Sequence, residues 1–202
     1  MAAAVGTIQQ VSAPTEPRKY RYGVDAILTP ANLVTVTRLL LSIPVLLLIA
    51  REGTGWIALI GWLIVSGTDW LDGYMARRDG VTRSGAFLDP LADKLLVFGG
   101  FTALAVQGRY AWLPVALVVA RELGIQAYRL LAARRGISLP ALQMGKVKAV
   151  AQFAAVGIAV APFFEPWGWI TTTSLWFAVA LTLVSGLDIL RHGWKETRAD
   201  AV

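Results

Sequence analysis

The sequence predicts an all-α integral membrane protein with six transmembrane helices, and three observations support this fold class. Hydrophobic residues make up 56% of the chain and charged residues only 16%, whereas an ordinary soluble domain has about 25% charged residues. Six separate segments are apolar over about 20 residues each, which is the length that crosses the hydrocarbon core of a bilayer. The basic residues are concentrated in alternate connections between these segments.

The six apolar segments follow one another with short connections. Pro44 and Pro114 fall inside them, which membrane helices tolerate when neighbouring groups satisfy the freed backbone. We expect the helices to surround a polar cavity that opens to the cytosol. The predicted spans are Ala31–Ala50, Gly55–Arg77, Leu88–Val106, Trp112–Ala132, Val147–Phe164 and Ile170–Leu190.

The connections between the spans predict the orientation of the chain. Six spans place both termini on one side of the membrane, and the connections on the other side carry only Arg51 and Arg109 as basic residues. The positive-inside rule assigns the basic side, which includes both termini, to the cytosol. The basic residues on that side are Arg18, Lys19, Arg21, Arg77, Arg78, Arg83, Arg134, Arg135, Lys146, Lys148, Arg191, Lys195 and Arg198.

The sequence divides into four parts. Residues 1–15 lack the basic and apolar regions of a secretory signal and are expected to be a disordered tail. Residues 16–29 are either a short amphipathic helix on the cytosolic leaflet or an ordinary basic flank of the first span. Residues 30–192 form the six-helix domain, and residues 193–202 form a cytosolic C-terminal tail.

The residue inventory restricts the possible chemistry. Because the chain has no cysteine, disulfides, thiolate nucleophiles and cysteine-bound zinc are excluded. The only histidine, His192, lies near the C-terminus, so a general base is expected to be Asp, Glu, Lys or Tyr. The net charge of +6 is interpreted as membrane topology and phosphate binding, and no nucleic-acid partner is expected. His192 and the nearby Asp188 receive no role from the sequence.

Four aspartates lie at the adjoining ends of the second and third spans. Asp69 and Asp72 are spaced i,i+3, and Asp89 and Asp93 are spaced i,i+4, so that each pair shares one helix face. An intramembrane carboxylate costs about 3 kcal/mol or more, and a hard divalent cation offsets this cost because it prefers oxygen ligands. The sequence therefore predicts a divalent metal site. The alternative is that these aspartates form ion pairs with the basic residues nearby.

The residues around these aspartates form the pattern Asp69-x2-Asp72-Gly73-x2-Ala76-Arg77-x7-Gly85-x3-Asp89-x3-Asp93. This pattern closely resembles the signature of the CDP-alcohol phosphotransferases, which are membrane enzymes that move a phospho-alcohol group from a CDP-linked donor to a hydroxyl acceptor and release CMP. It departs from the signature in one place, since seven residues rather than eight separate Arg77 from Gly85. Residues 30–38, 88–94, 121–123 and 145–148 also resemble the phosphatidylglycerolphosphate synthases within that family.

The resemblance implies roles for the aspartates. Asp69, Asp72 and Asp89 would bind metal, and Asp93 would bind the second of two magnesium or manganese ions and act as the general base. From the residues alone, any of the four could be the base. A carboxylate near a metal-bound alcohol can accept its proton.

The resemblance also implies a site for the donor CDP-diacylglycerol. Gly73, Ala76 and Gly85 would leave space for it, although small residues also allow close helix packing. Arg77 would contact the diphosphate, or it marks only the cytosolic side. The full set of residues assigned to the donor is Asn32, Gly73, Ala76, Arg77, Thr82 and Gly85. Asn32 has the alternative role of capping the first helix.

Basic residues near the cytosolic side are candidates for binding the phosphate of an acceptor. Arg121 and Arg129 lie two turns apart on one face of the fourth span, and an intramembrane arginine suggests a function. The alternatives are an internal Arg121–Glu122 ion pair and, for the lysines, ordinary basic flanks. The predicted set is Arg38, Arg121, Arg129, Lys146 and Lys148.

Together, the motifs and their resemblance predict transfer of a phosphatidyl group from CDP-diacylglycerol to glycerol 3-phosphate, which gives phosphatidylglycerolphosphate and CMP. The protein is expected to be a homodimer among the lipids of a bacterial cytoplasmic membrane, with its active site facing the cytosol. Two alternatives remain open. One is the same chemistry with phosphatidylglycerol or inositol phosphate as acceptor, and the other is a cation-coupled membrane transporter.

Overall fold

The computed structural model describes residues 26, 29–79, 83–134 and 143–199, and within them the chain is helical and has no β-strand. Each predicted span corresponds to one helix, so the all-α fold class is confirmed. The helices are α1 (Pro30–Glu52), α2 (Trp56–Asp79), α3 (Arg83–Val106), α4 (Trp112–Arg134), α5 (Gln143–Val160) and α6 (Gly168–Ala199). Most of the predicted N-terminal tail and amphipathic segment lies outside the described residues, and α6 continues into the predicted C-terminal tail.

The end of α5 differs from the sequence prediction. The span was expected to reach Phe164, but α5 ends at Val160 and a short 3₁₀ turn follows at Pro162–Phe164. Pro162 lacks the backbone N–H that a continuing α-helix would need. The apolar run of the sequence continues through this turn, although the α-helix ends before it.

Large apolar side chains are exposed on the outside of all six helices. Leu33, Ile57, Leu113, Val150 and Phe177 are each at least 60% exposed, and soluble proteins rarely show apolar surface of this extent. Within the described residues, the segments Asn32–Glu52 and Gly168–Trp194 are long and apolar enough to cross a membrane. Only 22% and 39% of the most apolar 18-residue stretch of each segment is buried, whereas the core helix of a soluble protein is mostly buried. That all six helices cross the membrane stays a prediction.

Trp62 of α2 contacts α3 and α5 and is only 1% exposed. Its indole N–H donates to the carbonyl oxygen of Phe153 in α5 at 3.2 Å. A Cβ on Gly100 of α3 would lie 3.0 Å from the Trp62 ring, and one on Gly99 would overlap the Leu46 side chain of α1. Small residues at such contacts let membrane helices approach closely. We call these five residues the apolar junction.

The start of α1 is tied to the start of α3. Thr29 caps α1, because its hydroxyl oxygen accepts the backbone N–H of Asn32 at 3.2 Å. The alternative prediction that Asn32 caps this helix is therefore wrong. The buried Asn32 side chain instead donates to the hydroxyl oxygen of Ser84 in α3 at 2.6 Å. This bond joins α1 to the part of α3 that carries Asp89.

Candidate active site

A polar cavity of about 400 Å³ lies between α3, α4, α5 and α6. It occupies the end of the bundle where α3 and α5 begin and where α4 and α6 approach their C-termini. Its described lining combines ten charged or neutral polar residues with eight apolar or glycine residues. The charged lining residues in the described part of the chain are Asp93, Lys94, Arg121, Glu122, Arg129, Lys146 and Lys148.

Glu122 lies at the centre of these charges and is 8% exposed. Its Oε1 accepts a hydrogen bond from Arg121 Nη1 at 3.0 Å and contacts Lys148 Nζ closely, while its Oε2 accepts from Lys94 Nζ at 3.3 Å. A buried charge is tolerated only when it is paired and hydrogen-bonded. We call Lys94, Arg121 and Lys148 the cation cluster, since one carboxylate joins these three cations.

The guanidinium of Arg121 is also held from the side of α6. Its Nη2 donates to the hydroxyl oxygen of Ser185 at 3.0 Å. A Cβ on Gly186 would lie 2.8 Å from Arg121 Nε, so the absence of a side chain at Gly186 lets the arginine lie against α6. Arg121 is therefore confined between Glu122 on its own helix and two residues of α6.

Four of the five residues predicted to bind the acceptor phosphate line the cavity, namely Arg121, Arg129, Lys146 and Lys148. Arg38 does not line it. It is 1% exposed on α1, which contributes none of the described lining residues, and its role stays a prediction. The alternative Arg121–Glu122 ion pair is present, but the arginine still borders the cavity.

Two residues of the cavity wall, Lys94 and Glu122, received no binding or catalytic role from the sequence. A signal was available for both, because each is charged, lies inside an apolar helix and directly follows a predicted site residue. Asp188 and His192, which the sequence left unassigned, form a pair on α6 with His192 Nδ1 at 3.2 Å from Asp188 Oδ1.

Among the predicted metal ligands, Asp93 has a described side chain and lines the cavity beside Lys94. Asp69, Asp72 and Asp89 lie on the helical backbone of α2 and α3, so the i,i+3 and i,i+4 spacings fall within regular helix, but their side chains are outside the described set. Within that set, no three His, Cys, Asp or Glu side chains could hold a metal. The donor set of four carboxylates suits a hard divalent cation such as magnesium or manganese.

Most residues predicted to bind CDP-diacylglycerol cannot be followed at the level of side chains. Gly73, Ala76, Arg77 and Gly85 belong to the helical backbone of α2 and α3, and their surroundings are outside the described set. Thr82 lies outside the described residues. Their assignment to the donor stays a prediction.

Comparison with known proteins identifies the family. The family model described as CDP-alcohol phosphatidyltransferase matches residues 28–184, a segment that includes all four aspartates and every charged residue of the described cavity lining. Three curated bacterial relatives agree. A CDP-diacylglycerol–glycerol-3-phosphate 3-phosphatidyltransferase of Pseudomonas fluorescens is 36% identical over 180 residues, covering 84% of this chain and 92% of the relative.

The same name is carried by a Bacillus subtilis relative that is 38% identical over 139 residues, covering 66% of this chain and 72% of its own length. A probable phosphatidylglycerophosphate synthase of Mycobacterium tuberculosis is 34% identical over 173 residues, covering 82% of each chain. The motif around the four aspartates, the charged cavity and these matches lead to one conclusion. The chain belongs to the CDP-alcohol phosphatidyltransferase family.

Proposed function

We propose that this protein transfers a phosphatidyl group from CDP-diacylglycerol to glycerol 3-phosphate, giving phosphatidylglycerolphosphate and CMP. The observation that carries the proposal is the cavity that is lined both by Asp93 and by a group of cations. The relatives from Pseudomonas fluorescens and Bacillus subtilis support it, since both are named for this reaction.

The charge of the cavity supports an acceptor that carries a phosphate. Among the described lining residues, five are lysine or arginine and two are aspartate or glutamate, so the lining has excess positive charge. A phosphate monoester is close to a dianion at neutral pH and complements it. A hydrogen bond to such a charged group contributes about 1.5–3 kcal/mol.

Members of this family generally use divalent metal ions. In our proposal two magnesium or manganese ions are held by Asp69, Asp72, Asp89 and Asp93. When bound, such ions neutralise negative charge on the donor diphosphate and on the departing CMP.

The remaining steps are assigned to the protein's own residues. Asp93 accepts the proton of the C1 hydroxyl of glycerol 3-phosphate, and the oxygen then forms a bond to the β-phosphorus of CDP-diacylglycerol. The bond from that phosphorus to CMP breaks, and CMP leaves with the electron pair. The cation cluster holds the acceptor phosphate meanwhile, and Arg77 with Gly73 binds the donor diphosphate.

We further propose that the six helices all cross the bacterial cytoplasmic membrane, that the cavity opens to the cytosol and that the protein is a homodimer. The position of the cavity supports its orientation. It lies at the end of the bundle where α2, α4 and α6 end and where α3 and α5 begin, and most of the basic residues of the helices lie toward these helix ends. The homodimer is carried over from the family resemblance.

The direct test is an acceptor panel. Purified protein in detergent is given CDP-diacylglycerol, magnesium and one radiolabelled acceptor, which is glycerol 3-phosphate, inositol phosphate or phosphatidylglycerol. We expect CMP release and a labelled lipid with glycerol 3-phosphate alone. A preparation of the Asp93→Asn variant controls for contaminating host enzyme. Turnover with only another acceptor would replace the proposed substrate, and the absence of turnover with all three would refute the proposed reaction.

A further inference from the structure

We propose that Glu122 is a positioning residue that arranges Lys94, Arg121 and Lys148 to receive the phosphate of the acceptor. The inference rests on the proposed function and adds to it a side chain that does not itself contact the reacting atoms. It assigns a role to an intramembrane carboxylate that the proposed mechanism leaves unused.

The first step is geometric. The Glu122 carboxylate reaches one cation on each of three helices, with Lys94 on α3, Arg121 on its own helix α4, and Lys148 on α5. The Arg121 guanidinium extends this network to α6 through Ser185. The Glu122, Arg121 and Lys148 side chains are 9%, 8% and 13% exposed, and Lys94 is 24% exposed. All four helices of the cavity are therefore joined through this one carboxylate.

The second step concerns charge. Three cations around one carboxylate leave two positive charges without balance inside the cluster. A bound phosphate dianion would supply the two missing negative charges. All four side chains line the cavity, so this unbalanced charge is next to the space where the acceptor is proposed to bind.

The third step explains why a carboxylate stands in an anion-binding site. Three cations brought together in a low-dielectric environment repel one another, and without Glu122 they would move apart. Glu122 holds the three cations together before the acceptor arrives, so that fewer side chains have to become ordered on binding. Its own repulsion of the phosphate acts in the opposite direction. Loss of the Glu122 charge removes three directed contacts with the cations but only one repulsion of the phosphate. We therefore expect this loss to weaken acceptor binding.

The test starts with Glu122→Gln, which keeps the size of the side chain and removes its charge. We expect the KM for glycerol 3-phosphate to rise about tenfold or more, while the KM for CDP-diacylglycerol changes less than about twofold. Glu122→Asp keeps the charge on a shorter stem and should recover part of the affinity. The matched control is Glu165→Gln, which removes an exposed carboxylate beyond the opposite end of α5 and should behave like the wild type.

A double-mutant cycle shows whether Glu122 acts through the cations. Lys148→Met is introduced into the wild type and into Glu122→Gln. If Glu122 positions Lys148, the effect of Glu122→Gln on the KM for glycerol 3-phosphate becomes smaller once Lys148 is gone. Additive effects would overturn the inference. If Glu122→Gln does not fold, the cycle is measured with Glu122→Asp instead.

Three further results separate the possible explanations. An unchanged KM for glycerol 3-phosphate in Glu122→Gln, with normal wild-type turnover, refutes the role of Glu122 and leaves the proposed function intact. A parallel loss of kcat, of affinity for both substrates and of thermal stability would make Glu122 a structural residue and would also refute the inference. If the wild-type protein does not use glycerol 3-phosphate, the proposed function fails first.

Discussion

The cavity and the apolar junction share helices α3 and α5 and even share Phe153, yet their side chains are held in different ways. In the cavity, ion pairs and hydrogen bonds to Glu122 fix the cations. In the junction, Trp62 is fixed by close contact with Gly100 and by one hydrogen bond to Phe153. Apolar side chains gain little by leaving lipid, so tight packing has to hold the junction, whereas charges inside the membrane need partners. Changes in the cavity should therefore alter catalysis, and changes in the junction should alter stability.

The largest effect is expected for Asp93→Asn in the cavity. Asparagine keeps the shape of the side chain but cannot accept the proton of the acceptor hydroxyl. We expect kcat to fall by about 10²- to 10⁴-fold, the usual contribution of a general base, with the temperature of unfolding in detergent unchanged. The rate of CMP release at saturating concentrations of both substrates measures this loss. Activity within about tenfold of the wild type would move the role of base to another carboxylate.

The next effect is expected in the junction, for Trp62→Ala. Removing a fully packed tryptophan leaves a cavity, which costs about 3–5 kcal/mol in the free energy of unfolding. Thermal unfolding in detergent should show a much lower midpoint, whereas both KM values, measured well below that midpoint, should stay close to those of the wild type. The change should therefore separate stability from substrate binding.

Trp112→Ala is the matched control for this prediction, because Trp112 is 58% exposed at the start of α4. The same atoms are removed from a position where few contacts are lost, and the midpoint should fall far less. An equal loss of stability in the two variants would mean that the burial of Trp62 in the junction does not add to the stability of the protein. A shift of the KM values in Trp62→Ala without destabilisation would show that the two regions are not separable.

Helix positions followed from the sequence, but details at their ends did not. Long apolar runs separated by Gly and Pro predict where helices lie, and each predicted span corresponds to a helix. The sequence did not decide whether Thr29 or Asn32 caps α1, because both residue types are good caps. The end of α5 was missed because hydropathy does not record that Pro162 lacks a backbone donor.

The site was predictable in residue type more than in arrangement. Spacing along α4 placed Arg121 and Arg129 on one face, and both line the cavity. The absence of Arg38 from the described lining depends on how α1 packs against its neighbours, which spacing along one helix does not reveal. The convergence of three helices on Glu122 likewise depends on the rotation of each helix about its axis. Charged residues within apolar helices are visible in the sequence, but their partners are not.

The smallest expected effect concerns Gly186, where close packing of the kind seen in the junction reaches the cavity. A Cβ at this position would lie 2.8 Å from Nε and 3.4 Å from Cγ of Arg121. The arginine could move aside only by loosening its hydrogen bonds to Glu122 and Ser185. Gly186→Ala should therefore raise the KM for glycerol 3-phosphate by about three- to tenfold, which corresponds to partial loss of one charge-assisted hydrogen bond. The KM for CDP-diacylglycerol should change little.

Gly124→Ala provides the matched control for Gly186→Ala. Gly124 lies on α4 three residues after Arg121, and a Cβ there would meet no atom within 4 Å outside its own helix backbone and chain neighbours. Both variants add one methyl group to a helix and gain a similar intrinsic helix propensity, so a difference between them reports the displacement of Arg121. Equal KM values for glycerol 3-phosphate in the two variants would show that Arg121 tolerates this displacement. The cavity would then depend on ion pairing alone, without help from the packing of α6.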